Sequence, residues 1–461
     1  MISFDFSNVL KANIGGEFGL SPNFPDEYNE IIRKGYLKIE NGRGEYPYHF
    51  MELPYESHDE VRRFSDILGK YKNFVVVGIG GSALGAYALF NALKHQYHNL
   101  ISDRRVFFID NSDPATILNV FDVVDLKNTL FNIITKSGST AETMSAFSLI
   151  FNILKEHNLP FHEHLVVTTD REKGDLVRIA GEYNLHTFTI PEGVGGRYSL
   201  FTPVGLLPAL YMGIDLDALL EGAKYVDAYW RRTPAEENPI AVSALVNYLY
   251  HTAYSRNILA LMCYKDALRG MGLWYQQLWA ESLGKKYDLD SNLVETGATP
   301  VVLRGATDQH SLLQLFMEGP NDKLFVFFEI KDPDRDRRFQ IGSLKKYKSL
   351  AYFDDKSSHD LISAEMSGVK YALAFNGKPN YTVSLESLDA YHLGALIYAL
   401  ELQTVFTSTL YNVNPFDQPG VEEGKKATYA IMGREGYDEK RKEMQDNIKE
   451  NLSMEIPSKT K

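Results

Sequence analysis

The chain has 461 residues, 44% of them hydrophobic and 12% aromatic, enough to bury a sizeable core in two or three domains. Its formal net charge of -12 argues against a nucleic-acid-binding surface, which releases phosphate counterions through a basic stripe. An anion handled by so acidic a chain has to sit in a local pocket of positive potential.

The opening MISFDFSNVLKANIGGEF lacks the basic and apolar regions of a signal peptide, and no apolar run reaches the ~18 residues of a membrane span. The expected location is the cytoplasm, with no membrane partner. Residues 1–70 mix aromatics, Gly and Pro without a repeat and read as an N-terminal arm of helices and loops. From Asn73 the pattern changes to FVVVGIG, SALGAYALFNAL, RVFFID, LFNIIT, a helical stretch to Leu154, and LVVTT. Short β-branched runs alternating with amphipathic stretches are the βαβ rhythm of a parallel sheet covered by helices on both faces. A first α/β domain is expected over residues 71–215.

After Ile190 comes the Gly-rich PEGVGGRYSLFTPVG, then helical sequence through Tyr254 and a second set of apolar runs: NILALMCY, TPVVL, KLFVFFEI, YALAF and YTVSLE. These predict a second α/β domain of similar kind over residues 216–410. Cys263, the single cysteine, lies in the first of these runs and reads as a buried, inert thiol. Its solitude excludes a disulfide within the chain and a thiolate metal site. Residues 411–461 read as a C-terminal helical segment with a charged, lysine-rich tail.

The strand FVVVGIG runs into Gly80, Gly81 and Ser82 and then into an apolar helix, the place where a doubly wound sheet positions its ligand. Glycines let a backbone approach an anion, and a helix start offers unpaired N–H groups. The same turn fits two other readings. It can be a tight turn without a ligand, or the looser dinucleotide fingerprint Gly78-x-Gly80-x-x-Ala83 with Asp110 as the ribose acid.

The run Thr135-Lys136-Ser137-Gly138-Ser139-Thr140, with Thr143 one turn on, follows the buried strand LFNIIT and precedes a helix. Several hydroxyls, a lysine and helix-start amides suit a phosphate monoester, although Ser139-x-x-Glu142 alone is a capping box. Arg197 follows Gly195 and Gly196, and a guanidinium there holds charge on an enediolate oxygen without acting as an acid. Gln277 and Glu281 are four apart in WYQQLWAES and share a helix face. With two tryptophans nearby, the carboxylate is expected to be partly desolvated and tuned toward proton abstraction. His310, in Asp308-Gln309-His310-Ser311, reads equally as a structural histidine. Lys425, after the Pro419-Gly420 turn, points into a cleft or into solvent. No clustered His or Cys pattern argues for a metal.

Taken in order, GIGGS, TKSGST, EGVGGRYSLFTPVG, QQLWAES, DQH and FDQPGVEEGK resemble the glucose-6-phosphate isomerase family from about Gly78 to Lys425, bacterial branch included, given the Gly138-Ser139 pair. The resemblance implies two sugar-isomerase (SIS-type) doubly wound domains with mostly parallel five-stranded sheets and flanking helices. It implies a homodimer with the active site at the subunit interface, a sugar phosphate as substrate, and no cofactor or metal. Gly81, Ser82, Thr135, Lys136, Ser137, Thr140 and Thr143 would surround the substrate, and Gln277 and Gln418 would hydrogen-bond its hydroxyls. Glu281 would shuttle the proton, Arg197 would stabilise the enediolate, and His310 of the neighbouring subunit, helped by Lys425, would open the ring. Glu142 is left outside the catalytic set. The competing expectations are a non-catalytic phosphosugar-sensing SIS module and a nicotinamide-dependent enzyme; the joint presence of Glu281, Arg197, His310 and Lys425 favours the isomerase.

Overall fold

The computed structural model describes residues 1–447 and 452–454; the far end of the lysine-rich tail lies outside the described residues. The chain divides into two compact units, Met1–Pro415 and Phe416–Lys461. In the first unit the strands are β1 (Ile2–Asp5), β2 (Asn73–Val77), β3 (Arg105–Ile109), β4 (Thr129–Thr135), β5 (Leu165–Thr169), β6 (His186–Thr189), β7 (Ile258–Cys263), β8 (Lys285–Tyr287), β9 (Leu293–Thr296), β10 (Thr299–Arg304), β11 (Lys323–Ile330) and β12 (Asn380–Leu385).

Two five-stranded sheets result, in the orders β3-β2-β4-β5-β6 and β1-β12-β11-β7-β10, with a separate β8-β9 hairpin. The first is parallel throughout. In the second, only β1 is antiparallel, paired to β12. Every residue of β2, β4, β5 and β12 is buried, because helices cover both faces; this is why these strands read as unbroken apolar runs. One apolar cluster, including Val75, Phe131, Ile150 and Leu176, packs a helical layer on the first sheet. Another, including Met262, Phe327, Val369 and Leu373, does so on the second.

The second sheet gathers its strands differently from the expectation. YALAF closes the helix Ser358–Phe375, and the fifth strand comes from the N-terminal arm, where Ile2 and Phe4 turn inward and Ser3 and Asp5 outward. YALAF ends a long segment opened by a true capping box, Ser357 with Asp360, and a continuing helix overrides the strand propensity of a short apolar run.

The helix Ala390–Tyr411 is long and apolar enough to cross a membrane by length and composition, and 89% of its apolar window is buried inside the protein. It packs on the helix Leu216–Arg232 with backbones nearly touching. A Cβ at Gly394 would overlap the Leu219 carbonyl, and one at Gly222 the Tyr391 carbonyl. Gly at both crossing points is what allows that approach. The second unit contains the helices Glu422–Ile431 and Asp438–Asn447, with the Tyr429 and Tyr437 rings 5.3 Å apart between their centroids.

Candidate active site

The turn after β2 is shaped by what presses on it. Gly80 has φ +58°, and a Cβ there would sit 2.8 Å from the Gln277 amide nitrogen. A Cβ at Gly78 would meet Ser82 at 2.7 Å and the Ile134 carbonyl at 2.9 Å, and one at Gly81 would overlap the Gly196 backbone. The bare backbone at Gly81 therefore accommodates a second segment of this chain, the GGRYS loop. That accounts for the glycine spacing without a dinucleotide. The turn runs as a 3-10 segment, Gly80–Ser82, into the helix Leu84–Leu93.

The hydroxyl loop after β4 closes on itself. Thr135 Oγ1 lies 2.7 Å from Thr140 Oγ1 and 3.3 Å from Ser137 Oγ, and Ser137 Oγ is 3.2 Å from Thr140 Oγ1. The N-cap of the helix Ala141–Glu156 is Thr140, with extended backbone and no side-chain cap bond. The Ser139-x-x-Glu142 capping box does not form, because Thr140 occupies the cap position and turns its hydroxyl to Thr135 and Ser137. The first-turn N–H groups thus remain without a side-chain cap beside three convergent hydroxyls. Gly138 (φ +63°) and Gly174 (φ +94°) hold the loop's shape by direct backbone packing on each other. Thr143 is 3% exposed, and its hydroxyl has no hydrogen-bond partner among the described residues. Lys136 donates from Nζ to the Val194 carbonyl at 2.7 Å, tying the phosphate-type loop to the segment that leads to Arg197. Burial lowers its pKa.

Arg197 is the centre of the constellation, its side chain 2% exposed. Nε donates to Ser282 Oγ at 2.8 Å, Nη1 to Glu281 Oε2 at 3.1 Å, and Nη2 to the Pro415 carbonyl at 2.5 Å. Glu281 lies on the helix Arg269–Leu283, one turn beyond Gln277, whose Nε2 donates to Glu281 Oε1 at 3.0 Å. Each carboxylate oxygen is therefore held by a different donor, and with 32% of the side chain exposed the group remains reachable. Trp274 and Trp279 are buried in the core, the latter donating to the Ala298 carbonyl at 3.0 Å. The hydrogen-bonding neighbours of the carboxylate are Arg197 and Gln277, not the indoles. Chemically, this is a carboxylate able to take and return a proton beside a fixed cation able to hold developing negative charge.

Four supporting groups escaped the sequence reading. Ser282 and Tyr198 are hydrogen-bonded to each other at 3.0 Å, and the Val194 and Pro415 carbonyls fix Lys136 and Arg197. Ser282 and Tyr198 belong to the same motifs as Glu281 and Arg197, QQLWAES and GGRYS, which is a usable signal; a backbone carbonyl has none.

The structure does not bring His310 to this cluster. It is exposed, at the end of the short turn Thr307–His310 that follows β10, and forms no hydrogen bond with Glu281 or Arg197. Its loop is anchored on either side: Asp308 accepts from the Arg304 N–H at 2.7 Å, and Gln309 donates to the Tyr264 hydroxyl at 2.6 Å. Gln418 and Lys425 lie in the second unit. Gln418 opens the turn Pro419–Val421, and Lys425 is exposed and paired with Glu422 at 2.8 Å. Among the described residues no group of three or more His, Cys, Asp or Glu side chains is arranged to hold a metal.

The model of the family described as phosphoglucose isomerase matches residues 64–450. The glucose-6-phosphate isomerase of Carboxydothermus hydrogenoformans is 39% identical over 96% of this chain and 97% of its own. That of Rubrobacter xylanophilus is 41% identical over 95% and 99%. Among solved structures, a hypothetical protein from Thermus thermophilus superposes with TM-score 0.84 at 34% identity, covering 94% of this chain and all of that one. The fold is also shared with a Chlamydia trachomatis glucose-6-phosphate isomerase, at TM-score 0.77 and 20% identity over 92% of this chain and 88% of that one.

Proposed function

The chain belongs to the phosphoglucose isomerase family, and from that membership we infer that it interconverts glucose 6-phosphate and fructose 6-phosphate, an aldose–ketose isomerisation of glycolysis and gluconeogenesis. The observation that carries the assignment to these residues is the Glu281 carboxylate held between Arg197 and Gln277. That helix also lies against the GIGGS turn, since Gln277 packs on Gly80.

In the open-chain aldose, Glu281 removes the C2 proton. The C2–H electron pair becomes the C1=C2 bond while the C1=O π pair moves onto O1, giving a cis-enediolate with its charge beside Arg197; transfer of the O2 hydroxyl proton to O1 then leaves the charge on O2. The same carboxyl then returns the proton to C1 as the carbonyl forms at C2. Arg197 stays protonated throughout, since a guanidinium does not give up its proton in a protein. The carboxylate and the guanidinium supply the acid–base and electrostatic terms of this step, the logic of other enediol isomerases. The phosphate is held by Thr135, Lys136, Ser137 and Thr140 with the helix-start amides, Thr143 beside them, and Gly81 and Ser82 line the sugar. Gln277 and Gln418 hydrogen-bond sugar hydroxyls. His310, supplied by the neighbouring subunit of a homodimer, opens the ring with Lys425, and the enzyme works in the cytoplasm. His310 is exposed at the end of its turn, open to contact from a second chain.

The test is conversion of fructose 6-phosphate by the wild type and by Glu281→Gln, with EDTA present. A loss of about 10²-fold or more in the variant, with ligand binding retained, is the expected result. A wild type that binds the sugar phosphate and never converts it would replace this reading with a phosphosugar sensor.

A further inference from the structure

The two sheets repeat one topology. In the first, β2 is flanked by β3 and β4, and β4 by β5; in the second, β7 is flanked by β10 and β11, and β11 by β12. Each central strand passes through a 3-10 turn into a helix: Gly80–Ser82 into Leu84–Leu93 after β2, and Asp266–Leu268 into Arg269–Leu283 after β7. The strand beside it leads to a helix as well, Ala141–Glu156 after β4 and Ser358–Phe375 after β11. The GIGGS and TKSGST segments occupy the first of these crevices, at the point where the chain leaves the central strand in opposite directions. The second sheet has the same switch point between β7 and β11, and none of the residues assigned above to substrate lines it.

That switch point is a cavity of about 540 Å³, within the size range of small-molecule sites, lined by the two connections equivalent to those that form the first crevice. Its walls carry Lys94, Lys265, Arg269, Arg304 and Arg335 against the carboxylates Asp266, Glu329 and Asp336, a cationic excess in a chain of net charge -12. Those carboxylates are already engaged. Asp266 takes both guanidinium nitrogens Nε and Nη2 of Arg304, at 2.6 and 2.5 Å, and Glu329 accepts from Ser384 at 2.7 Å. Asp336 accepts from the His359 N–H at 3.4 Å at the start of the helix Ser358–Phe375. Among the described residues Lys94, Lys265, Arg269 and Arg335 form no ion pair. Four unpaired cations around one crevice create the local positive potential that concentrates a small dianion.

We propose that this second crevice binds a phosphate monoester and thereby acts on the loop that carries His310. Tyr264 and Arg304 line the cavity, and the same two residues anchor that loop, the Tyr264 hydroxyl accepting from Gln309 at 2.6 Å and the Arg304 backbone N–H donating to Asp308 at 2.7 Å. A ligand that draws the Arg304 side chain from Asp266 and presses on Tyr264 shifts the Arg304 backbone and the Tyr264 hydroxyl on which the loop of the ring-opening histidine rests; this coupling, though not the binding itself, rests on the isomerase reading above.

Equilibrium dialysis of the full chain with radiolabelled glycerol 3-phosphate, and separately with fructose 6-phosphate, tests the proposal. The wild type should bind two equivalents per chain. Ser137→Ala/Thr140→Ala should keep the second-sheet equivalent, while Lys265→Ala/Arg269→Ala, and independently the loop variant Arg335→Ala, should weaken it about tenfold or more. Fructose 6-phosphate bound by the Ser137/Thr140 variant would make the substrate itself the ligand; glycerol 3-phosphate alone would point to a different phosphorylated metabolite. At saturating glycerol 3-phosphate, kcat should change by at least about twofold in the wild type and not in Arg335→Ala. One equivalent in the wild type, or binding unaltered by the Lys265, Arg269 and Arg335 substitutions, overturns the site. An effect on KM alone overturns the coupling. Two equivalents retained by Ser137→Ala/Thr140→Ala would contradict the phosphate loop of the proposed active site and leave the second crevice standing.

Discussion

Replacing Arg197 with lysine keeps the charge and removes the fork. The guanidinium serves three acceptors in three directions, Ser282 Oγ, Glu281 Oε2 and the Pro415 carbonyl, from a side chain 2% exposed. An ammonium on a shorter reach holds one of them. Two charge-assisted hydrogen bonds are then lost, at about 1.5–3 kcal/mol each. The Ser282 hydroxyl keeps Tyr198 at 3.0 Å, and Glu281 is partly solvated, so the lower end of the range applies and the total is about 3 kcal/mol. The part of that loss that falls on the transition state is one bond, and ~1.5 kcal/mol corresponds to about tenfold in kcat. The Pro415 and Ser282 contacts exist without substrate, so their share appears in urea unfolding, while the Glu281 share appears in kcat. Arg197→Lys is therefore expected to turn over fructose 6-phosphate about tenfold more slowly, from the ~1.5 kcal/mol of the Glu281 bond, with a lowered urea midpoint. A variant within about threefold of wild-type kcat and with an unshifted midpoint would refute the view that fork geometry, and not charge alone, organises the site.

Gly81→Ala should cost about 1–3 kcal/mol and much of the activity, because its Cβ would overlap the Gly196 backbone, which has no side chain to yield. Gly181→Ala, on a helix with nothing within 4 Å of the new Cβ, is the control and should be neutral or slightly stabilising in the same thermal melts. Lys136→Met removes the latch to Val194 and a cation from the phosphate loop; steady-state kinetics should give a KM raised about tenfold with kcat within about twofold, and an unchanged KM would count against the loop assignment. Burial pushes the phenols of Tyr198, Tyr211 and Tyr264 up to about 12 from 10.0. An unfolded phenol ionises first, so their contribution is fully present below about pH 10 and is lost as pH rises toward about 12, by up to roughly 3 kcal/mol for the fully buried Tyr198. Urea midpoints should fall between about pH 9 and about pH 11, and a smaller fall in Tyr198→Phe would assign that residue its share.

The sequence by itself determined the layered α/β architecture, because a strand buried on both faces has to be apolar throughout: β2, β4 and β11 are legible in VVV, LFNIIT and KLFVFFEI. It also singled out the segments that build the candidate site, since glycines, clustered hydroxyls and a helix-face Gln–Glu pair are local patterns. Pairings between distant segments were decided only in the tertiary structure. Ile2–Asp5 is too short for its alternation to stand out, and becomes a strand because β12 offers it a free edge. YALAF has strand propensity and follows its helix instead. Nothing local says that Gly81 faces Gly196, that Lys136 turns to the Val194 carbonyl, or that the Pro415 carbonyl completes the Arg197 site, because each contact joins segments far apart in the chain through backbone groups that every residue possesses. The same holds for Thr140: the pattern Ser139-x-x-Glu142 promised a capping box, and the competing hydroxyls of Thr135 and Ser137, brought close by the end of β4, settled the cap otherwise.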